Sequence, residues 1–378
     1  MISVCVSVQI LTKMRTDEER TELTECRSSW ISGWLPSWCP TSPTHLSRAE
    51  DKILSALSIS FSRGFVSVSS GQQIRTLVFN GEGLRGAGSA GEGLRAPGPP
   101  LVLLHGFGAA AGLWVLNLQA LAQDGRQVLA LDLLGFGRSS RPVFSTDPQQ
   151  AEQQQVEALE HWRSQQRVEH MVLLGHHLGA YISAAYALAY PQRVKHLILV
   201  EPWGFAARPS APERWVPFWI KAFGSAMNPF NPLALLRLAG PLGPLLLQLL
   251  RSDFKQKYAA LFSDNTVPDY IYHINTQTAS GEVGFKNMTV PYGWPQRPLL
   301  ERMDKISPSL PISFIYGSRS CIDGHSGRIL QEMRPGSHTE VIVIQGAGHY
   351  VFADQPEDFN RAVLEIWNSV KHTEQQNN

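Results

Sequence analysis

The segment 171–190 constrains the fold more than any other part of this 378-residue chain. It begins with the apolar run 171–174, continues as GHHLG at 175–179, and ends in the helical-period segment 180–190. Glycines at both ends of the central five residues let a strand and a helix approach closely around a tight turn. The central residue of such a turn usually has a positive φ, where histidine is enriched among non-glycine residues. The segment therefore predicts a buried strand, a turn centred on His177, and a helix.

The turn has the spacing of the G-x-S-x-G motif, in which the serine attacks an acyl carbonyl, but His177 stands at the serine position. Gly175 and Gly179 keep the frame, whereas an imidazole has no hydroxyl group with which to attack an ester. A strand–turn–helix that never held a nucleophile remains the alternative for this segment taken alone. Covalent catalysis by His177 is a further alternative, although an acyl-imidazole hydrolyses readily.

Short apolar runs rich in Val, Ile and Leu alternate with helical-period segments after Pro100. Buried parallel strands linked by crossover helices are typical of this pattern. We therefore predict an α/β fold with a mostly parallel sheet and helices on both faces. The runs lie at 101–104, 128–131, 171–174, 197–200, 312–316 and 341–344, with helices at 152–166 and 180–190, and they follow a helix at 45–57 and strands at 65–69 and 74–79.

Residues with catalytic chemistry follow several of these strands. Phe107 comes shortly after the first run, Asp323 after the fifth, and His349 after the sixth. The chain order of turn, acid and histidine is the Ser…Asp…His order associated with the G-x-S-x-G turn. We predict a degenerate triad of His177, Asp323 and His349, with a hydrogen bond from His177 toward His349. The backbone N–H groups of Phe107 and Leu178 are the predicted oxyanion-hole donors.

A metal site is the alternative use of these side chains. Imidazole and carboxylate groups are good metal ligands, and His176, His177, Asp323 and His349 could converge. Nothing in their spacing selects a metal, so we expect no metal and no resident cofactor.

The chain divides into segments of different composition. We predict a disordered N-terminal extension at 1–28, a tryptophan-rich anchor at 29–43, a core formed by 60–205 and 301–370, a helical cap at 206–300, and a disordered tail at 371–378. Residues 81–100 are Gly-rich, contain the repeat GEGLR twice, and are typical of a flexible surface loop.

Three tryptophans, Trp30, Trp34 and Trp38, lie four residues apart in a short segment without charges. Indole rings favour membrane–water interfaces, where the ring is buried and the N–H stays hydrated. Gly33 and Pro36 interrupt any long helix, so a helical stripe is not the whole explanation. We predict a shallow anchor in a phospholipid monolayer; docking of the tryptophans against the protein's own core is the alternative.

Composition excludes several classes of function. With a net charge of +1, the chain has no field that would recruit nucleic acid. Its four cysteines are scattered without a disulfide framework, which favours a reducing, cytoplasmic compartment. No run of 18 apolar residues is long enough to span a bilayer, and the first eleven residues lack the features of a cleaved signal peptide.

Together these motifs resemble the α/β-hydrolase-fold superfamily. Within it the chain is similar, from about Ser29 to Val370, to a group containing a lipid-droplet coactivator of a triglyceride lipase and an N-acyl-phospholipid lipase. At the central position of the turn the lipase keeps the serine, whereas the coactivator has a non-nucleophilic residue, typically asparagine. With His177 at this position, the chain resembles the coactivator rather than the lipase. The segments carrying the resemblance are SGWLPSWCPTS, LVLLHGFGAAAGLWVLN, LDLLGFGRSSRP, HLILVEPWGF, DYIYHINTQTASGEVGFKNM, YGSRSCIDG and GAGHYVFADQPEDFN.

The resemblance implies a non-hydrolytic coactivator that promotes triacylglycerol breakdown at the lipid-droplet surface in the cytoplasm. Its implied partners are a triglyceride lipase, perilipin-type coat proteins and the phospholipid monolayer, with no nucleic acid. Arg319, in the irregular loop beside Asp323, is a candidate for partner contact. Gly348, just before His349, shares this rim, although a turn requirement also explains it.

The resemblance also implies an alternative activity. His349 and Asp354 form an H-x-x-x-x-D motif, in which a histidine base would deprotonate the hydroxyl of lysophosphatidic acid. The hydroxyl would then attack acyl-CoA, the co-substrate, and phosphatidic acid would be the product.

Overall fold

The computed structural model describes residues 38–81, 98–208, 232–322 and 324–376. Trp30, Trp34, Asp323 and the first part of the predicted cap, 209–231, therefore lie outside the described residues, as does most of the Gly-rich loop. The strands are β1 (Phe61–Ser67), β2 (Gln73–Phe79), β3 (Leu101–Leu104), β4 (Val128–Leu131), β5 (Met171–His176), β6 (Val194–Val200), β7 (Thr289–Val290), β8 (Trp294–Pro295), β9 (Ile312–Gly317) and β10 (Thr339–Ile344).

Most helices alternate with these strands and flank the sheet, whereas the five helices between residues 232 and 287 follow one another without a strand between them. They are α1 (Pro43–Leu54), α2 (Val115–Leu121), α3 (Pro148–Gln165), α4 (Leu178–Ala189), α5 (Pro232–Leu238), α6 (Gly243–Leu250), α7 (Asp253–Lys257), α8 (Thr266–Asn275), α9 (Gly281–Asn287), α10 (His325–Met333), α11 (Val351–Asp354) and α12 (Pro356–Gln376).

Eight strands form one sheet in the order β1-β2-β4-β3-β5-β6-β9-β10. Among the strands of this sheet that the described residues form, β2 alone runs against the others, since it pairs antiparallel with both of its neighbours while the remaining ladders are parallel. The separate β7–β8 pair is antiparallel. The predicted α/β fold with a mostly parallel sheet is confirmed.

Alternating side chains of the buried strands enter two hydrophobic cores. Val102 and Leu104 of β3 face the core that contains Trp162 of α3. Leu101 and Leu103 of the same strand face the core that contains Trp367 of α12. This burial on both faces explains why the parallel strands appear in the sequence as continuous apolar runs.

The structure corrects several boundaries, among them the start of α3 at Pro148 rather than at 152, because Asp147 caps the helix by accepting the N–H of Gln150. β1 begins at Phe61 rather than at 65, because it pairs with β2 from Phe61↔Phe79 onward although several of its side chains are polar. α1 spans 43–54 rather than 45–57, because Ser42 caps its N-terminus by accepting the N–H of His45. The tail predicted to be disordered at 371–378 continues α12 to Gln376, since no Gly or Pro interrupts helix propagation.

Helices α5–α9, called here the insertion helices, are the described part of the segment predicted as a cap. Asn275 of α8 donates its side-chain N–H to the carbonyl of Gly108, after β3, at 2.8 Å. Phe285 of α9 packs on Phe107 with ring centroids 4.6 Å apart. α8 and α9 therefore lie over loops at the carboxyl ends of the central strands. Across the described ranges, no helix is long and apolar enough to cross a membrane.

Candidate active site without a nucleophile

The turn between β5 and α4 requires glycine at two positions. A Cβ at Gly175 would lie 2.3 Å from the carbonyl oxygen of Gly179, and a Cβ at Gly179 would lie 2.5 Å from that of Leu104. Both contacts are with backbone, which has little freedom to move. Between the glycines, His177 has φ 51° and precedes the first residue of α4. This is the conformation expected for the centre of the G-x-S-x-G turn.

The imidazole of His177 fills the position of the missing nucleophile. It is buried, and its ring centroid lies 5.2 Å from that of His349, 6.3 Å from Trp203 and 6.2 Å from Phe285. Burial, together with the neighbouring histidines, lowers the pKa of His177 well below its ordinary value, so the ring is neutral. The expected hydrogen bond to His349 is not formed among the described residues; the two rings instead meet edge to face at 89°.

His349 faces a carboxylate that the sequence analysis missed. Its Nδ1 lies 3.4 Å from Oε2 of Glu201, the residue directly after β6. Glu201 is fully buried and accepts the N–H of Gly317 at 2.7 Å and the hydroxyl hydrogen of Ser320. The predicted acid, Asp323, lies outside the described residues. An acid directly after the apolar run 197–200 was the signal in the sequence that could have identified Glu201.

Burial leaves Glu201 and His349 uncharged near neutral pH. It raises the pKa of Glu201 to about 8. It also lowers the pKa of His349 to about 4, with a further contribution from the positive charge of Arg251. Because a carboxyl group is protonated below its pKa and an imidazole is neutral above its pKa, no full ion pair forms between them at pH 7.

The loop after β3 packs directly against the turn. A Cβ at Gly106 would lie 2.6 Å from Nδ1 of His176. His105 holds this loop in place, since its Nδ1–H donates to the carbonyl of Gly106 at 2.7 Å and its Nε2 accepts the N–H of Leu133 at 3.0 Å. Neither Phe107 N–H nor Leu178 N–H donates to another residue in the described part of the chain. Their role as oxyanion-hole donors stays a prediction.

His176 joins the turn to the loop that carries His349. Its Nε2–H donates to the carbonyl oxygen of His349 at 3.0 Å. The side chain is buried, and burial lowers its pKa well below the ordinary value, so this ring is neutral as well. His176 therefore has a structural role, fixing the backbone of residue 349 against the end of β5.

The second motif residue, Asp354, has partners other than His349. Its Oδ1 forms an ion pair with Lys257 of α7, and its Oδ2 accepts the N–H of Gly348 at 2.8 Å. No hydrogen bond joins Asp354 to the ring of His349 within the described ranges. The two residues of H-x-x-x-x-D are thus close in sequence, but in the structure their side chains interact with different groups.

The two candidate partner-contact residues lie on adjoining loops. Arg319 is exposed, and its backbone N–H donates to the carbonyl of Ala347 at 2.8 Å. A Cβ at Gly317 would lie 2.4 Å from the carbonyl oxygen of Gly348, so the loops touch at the end of β9. We call this edge, formed by residues 318–320 and 346–349, the rim.

Trp38 is the one anchor tryptophan within the described residues. Its side chain is 66% exposed, and its indole N–H donates to the carbonyl of Leu238 at 3.1 Å. A Cβ at Gly240 would lie 2.4 Å from the indole ring. Trp38 thus rests on the end of α5 while most of its ring faces outward.

Among residues 38–81, 98–208, 232–322 and 324–376, no group of three or more His, Cys, Asp or Glu side chains is arranged to hold a metal ion. The four histidines near the turn are oriented by ring packing and by backbone hydrogen bonds instead.

Replacement of Glu201 by Gln tests the burial of this acid. Below pH 4.5 both folded and unfolded chains hold the proton, whereas between pH 4.5 and about 8 only the folded chain holds it. The free energy of unfolding of the native protein, minus that of Glu201→Gln, should therefore fall as pH rises through this window, by about 5 kcal/mol. Urea unfolding from pH 4.5 to 8.5 measures it. His349 titrates in both proteins, so the difference between the two proteins reports on Glu201. Unfolding free energies that change in parallel with pH in the two proteins would contradict the assignment.

Comparison with known proteins matches residues 99–356 to the alpha/beta hydrolase fold. Among curated relatives, 1-acylglycerol-3-phosphate O-acyltransferase ABHD5 of Sus scrofa is 53% identical over 361 residues, covering 94% of this chain and 100% of that protein. The Homo sapiens protein of the same name is 51% identical with the same coverage. The (lyso)-N-acylphosphatidylethanolamine lipase of Bos taurus is 45% identical over 351 residues, covering 92% and 99% of the two chains.

Solved structures agree on the fold. Carboxylesterase CesB of Bacillus subtilis matches with a TM-score of 0.58 at 15% identity, covering 85% of this chain and 96% of the esterase. The epoxide hydrolase CorEH matches with a TM-score of 0.59 at 18% identity, covering 82% and 100%. The chain therefore belongs to the α/β-hydrolase-fold family, in the group that contains the ABHD5 proteins and (lyso)-N-acylphosphatidylethanolamine lipase.

Proposed function

We propose that this protein is a non-hydrolytic coactivator of a triglyceride lipase and acts at the surface of lipid droplets. The observation that carries the proposal is the side chain of His177, a buried and neutral imidazole at the position of the nucleophile. The frame of a hydrolase turn is kept around a residue that has no hydroxyl or thiol group. Hydrolysis through a serine at this position is thereby excluded, and a binding role accounts for a frame that is retained without its nucleophile.

The charge state of the neighbouring groups supports the same conclusion. A serine-type triad depends on an ionised acid that stabilises the imidazolium formed during attack. Glu201, with its pKa raised to about 8 by burial, is protonated at pH 7 beside a neutral His349. The rim is the part of the site that reaches the protein surface. Its residues Arg319, which is exposed, and Gly348, which is partly buried, are our candidates for contact with the lipase.

An exposed apolar face supports the location on a lipid surface. Four leucines between residues 238 and 249 are exposed, and Leu245 and Leu249 lie one helical turn apart on the same side of α6. Trp38 lies next to them, on Gly240. Each exposed leucine that enters a lipid layer gains about 1.5–3 kcal/mol. We call these residues the leucine face: Trp38, Leu238, Leu242, Leu245 and Leu249. Perilipin-type coat proteins remain proposed partners at the same surface.

A charge placed on the leucine face tests the lipid contact. Leu249 is 71% exposed, so Leu249→Glu should preserve the fold while weakening binding to phospholipid-coated triolein emulsions about tenfold. Flotation assays measure the bound fraction. The matched control is Val143→Glu, because Val143 is exposed and lies in the loop before α3, outside the leucine face. Equal losses for the two variants would refute the proposed lipid contact.

The coactivator proposal itself is tested with purified full-length protein and a triglyceride lipase on a triolein emulsion. We expect a severalfold increase in fatty-acid release over the lipase alone, no release by this protein alone, and no labelling by a serine-directed fluorophosphonate. A protein that binds the emulsion but fails to stimulate the lipase would show that the proposal is wrong.

The names of the ABHD5 relatives favour a second candidate, acyl transfer from acyl-CoA to lysophosphatidic acid. A histidine base acting with Asp354 would need that carboxylate on its ring, whereas Asp354 contacts Lys257 and Gly348. The same purified protein can be supplied with acyl-CoA and lysophosphatidic acid. The acyltransferase would be established if the native protein forms phosphatidic acid and both His349→Ala and Asp354→Ala abolish it. If the native protein forms no phosphatidic acid, the acyltransferase proposal is wrong and the coactivator proposal stands.

A further inference from the structure

The carboxylate of Asp354 joins two segments that are far apart in the sequence. Its Oδ1 pairs with Lys257, 97 residues away in α7, while its Oδ2 accepts the N–H of Gly348 at 2.8 Å. The two charged side chains are only 13% and 19% exposed, so solvent screens this pair less than it screens a surface pair. One of the insertion helices is thereby tied to the turn that carries His349.

Aromatic contacts join the same two segments. Phe254 of α7 meets Tyr350 edge to face, with ring centroids 4.9 Å apart. The guanidinium of Arg251 lies 4.2 Å from the ring of Phe254 and 5.4 Å from that of Tyr350. Tyr258, directly after α7, donates its hydroxyl hydrogen to the carbonyl of Leu113 at 2.7 Å. The ion pair therefore sits beside a packed contact that already holds α7 close to α11.

The spacing of H-x-x-x-x-D follows from this arrangement. α11 is a single helical turn that begins after Tyr350 and ends at Asp354, whose own N–H donates to the carbonyl of Tyr350 at 2.8 Å. That turn brings the carboxylate back beside the N–H of Gly348. His349 meanwhile faces Glu201. Five residues of separation thus suit a hydrogen bond between Asp354 and the backbone before His349, while among the described residues no hydrogen bond joins the two side chains.

We propose that Asp354 is a positioning residue and that the Lys257–Asp354 pair is a latch that holds the rim loop 346–349 against α7. The loop in turn supports Arg319, whose N–H donates to Ala347. This inference deepens the proposed function, and its consequence for the lipase rests on that function. The restraint of the loop does not depend on the proposed function, because it follows from contacts within the chain.

Hydrogen–deuterium exchange of the full-length protein tests the restraint. Lys257→Met and Asp354→Asn should each speed exchange about tenfold in peptides covering 253–258 and 346–350, because each removes a hydrogen bond between charged groups. The double variant should exchange no faster than either single variant. Lys257→Arg, which keeps the positive charge, should exchange as slowly as the native protein. Lys255→Met is the matched control, since Lys255 is exposed in the same helix. If Lys257→Met behaves like this control, or if the single effects add in the double variant, the latch is overturned.

The lipase assay gives the second readout. Lys257→Met should raise the concentration needed for half-maximal stimulation about fivefold, equivalent to about 1 kcal/mol, and leave maximal stimulation unchanged. If hydrogen exchange becomes faster as expected but the concentration for half-maximal stimulation is unchanged, the latch does not position the rim for contact with the lipase, and that part of the proposal is wrong. If the native protein stimulates no lipase, the proposed function fails, and the exchange experiment still decides the latch.

Discussion

The close approach of β5 and α4 at residues 175–179 is the contact on which the rest of the site depends. Without side chains at Gly175 and Gly179, the first turn of the helix lies against the end of the strand and against the carbonyl of Leu104. This forces the residue between them to a φ of 51° and directs its side chain toward His349. The loop after β3 joins the same contact through Gly106. The geometry is thus independent of which side chain stands at position 177, provided that it tolerates a positive φ.

Desolvation dominates the electrostatics around this turn. It is the largest cause of the low pKa values of His105, His176, His177 and His349, and of the pKa of about 8 at Glu201. A group of uncharged imidazoles can stay buried because no ion has to leave water. The charged groups lie at the edge instead, where Lys257 and Asp354 pair. The Asp354 charge contributes less than desolvation to the pKa values of Glu201 and His349. Its carboxylate forms its contacts with Lys257 and with the N–H of Gly348, which is why we assign Asp354 to positioning.

Periodicity in the sequence was enough to predict the parallel strands, because strands buried on both faces are continuous apolar runs. It missed the start of β1, where the polar residues Ser62 and Arg63 belong to a strand defined by its pairing with β2. It also missed Glu201, because the acid was sought only after the fifth apolar run. The partner of Asp354 lies 97 residues away. No local pattern encodes such a contact, so only the fold reveals it.

The central claim is that His177 occupies the turn without taking part in chemistry. The most direct test is lipase stimulation by His177→Asn, since asparagine also tolerates a positive φ and likewise cannot serve as a serine-type nucleophile. Fatty-acid release from a triolein emulsion should rise as much with this variant as with the native protein. Loss of stimulation by a variant that remains folded and still binds the emulsion would contradict the account, because it would show that the imidazole itself is needed.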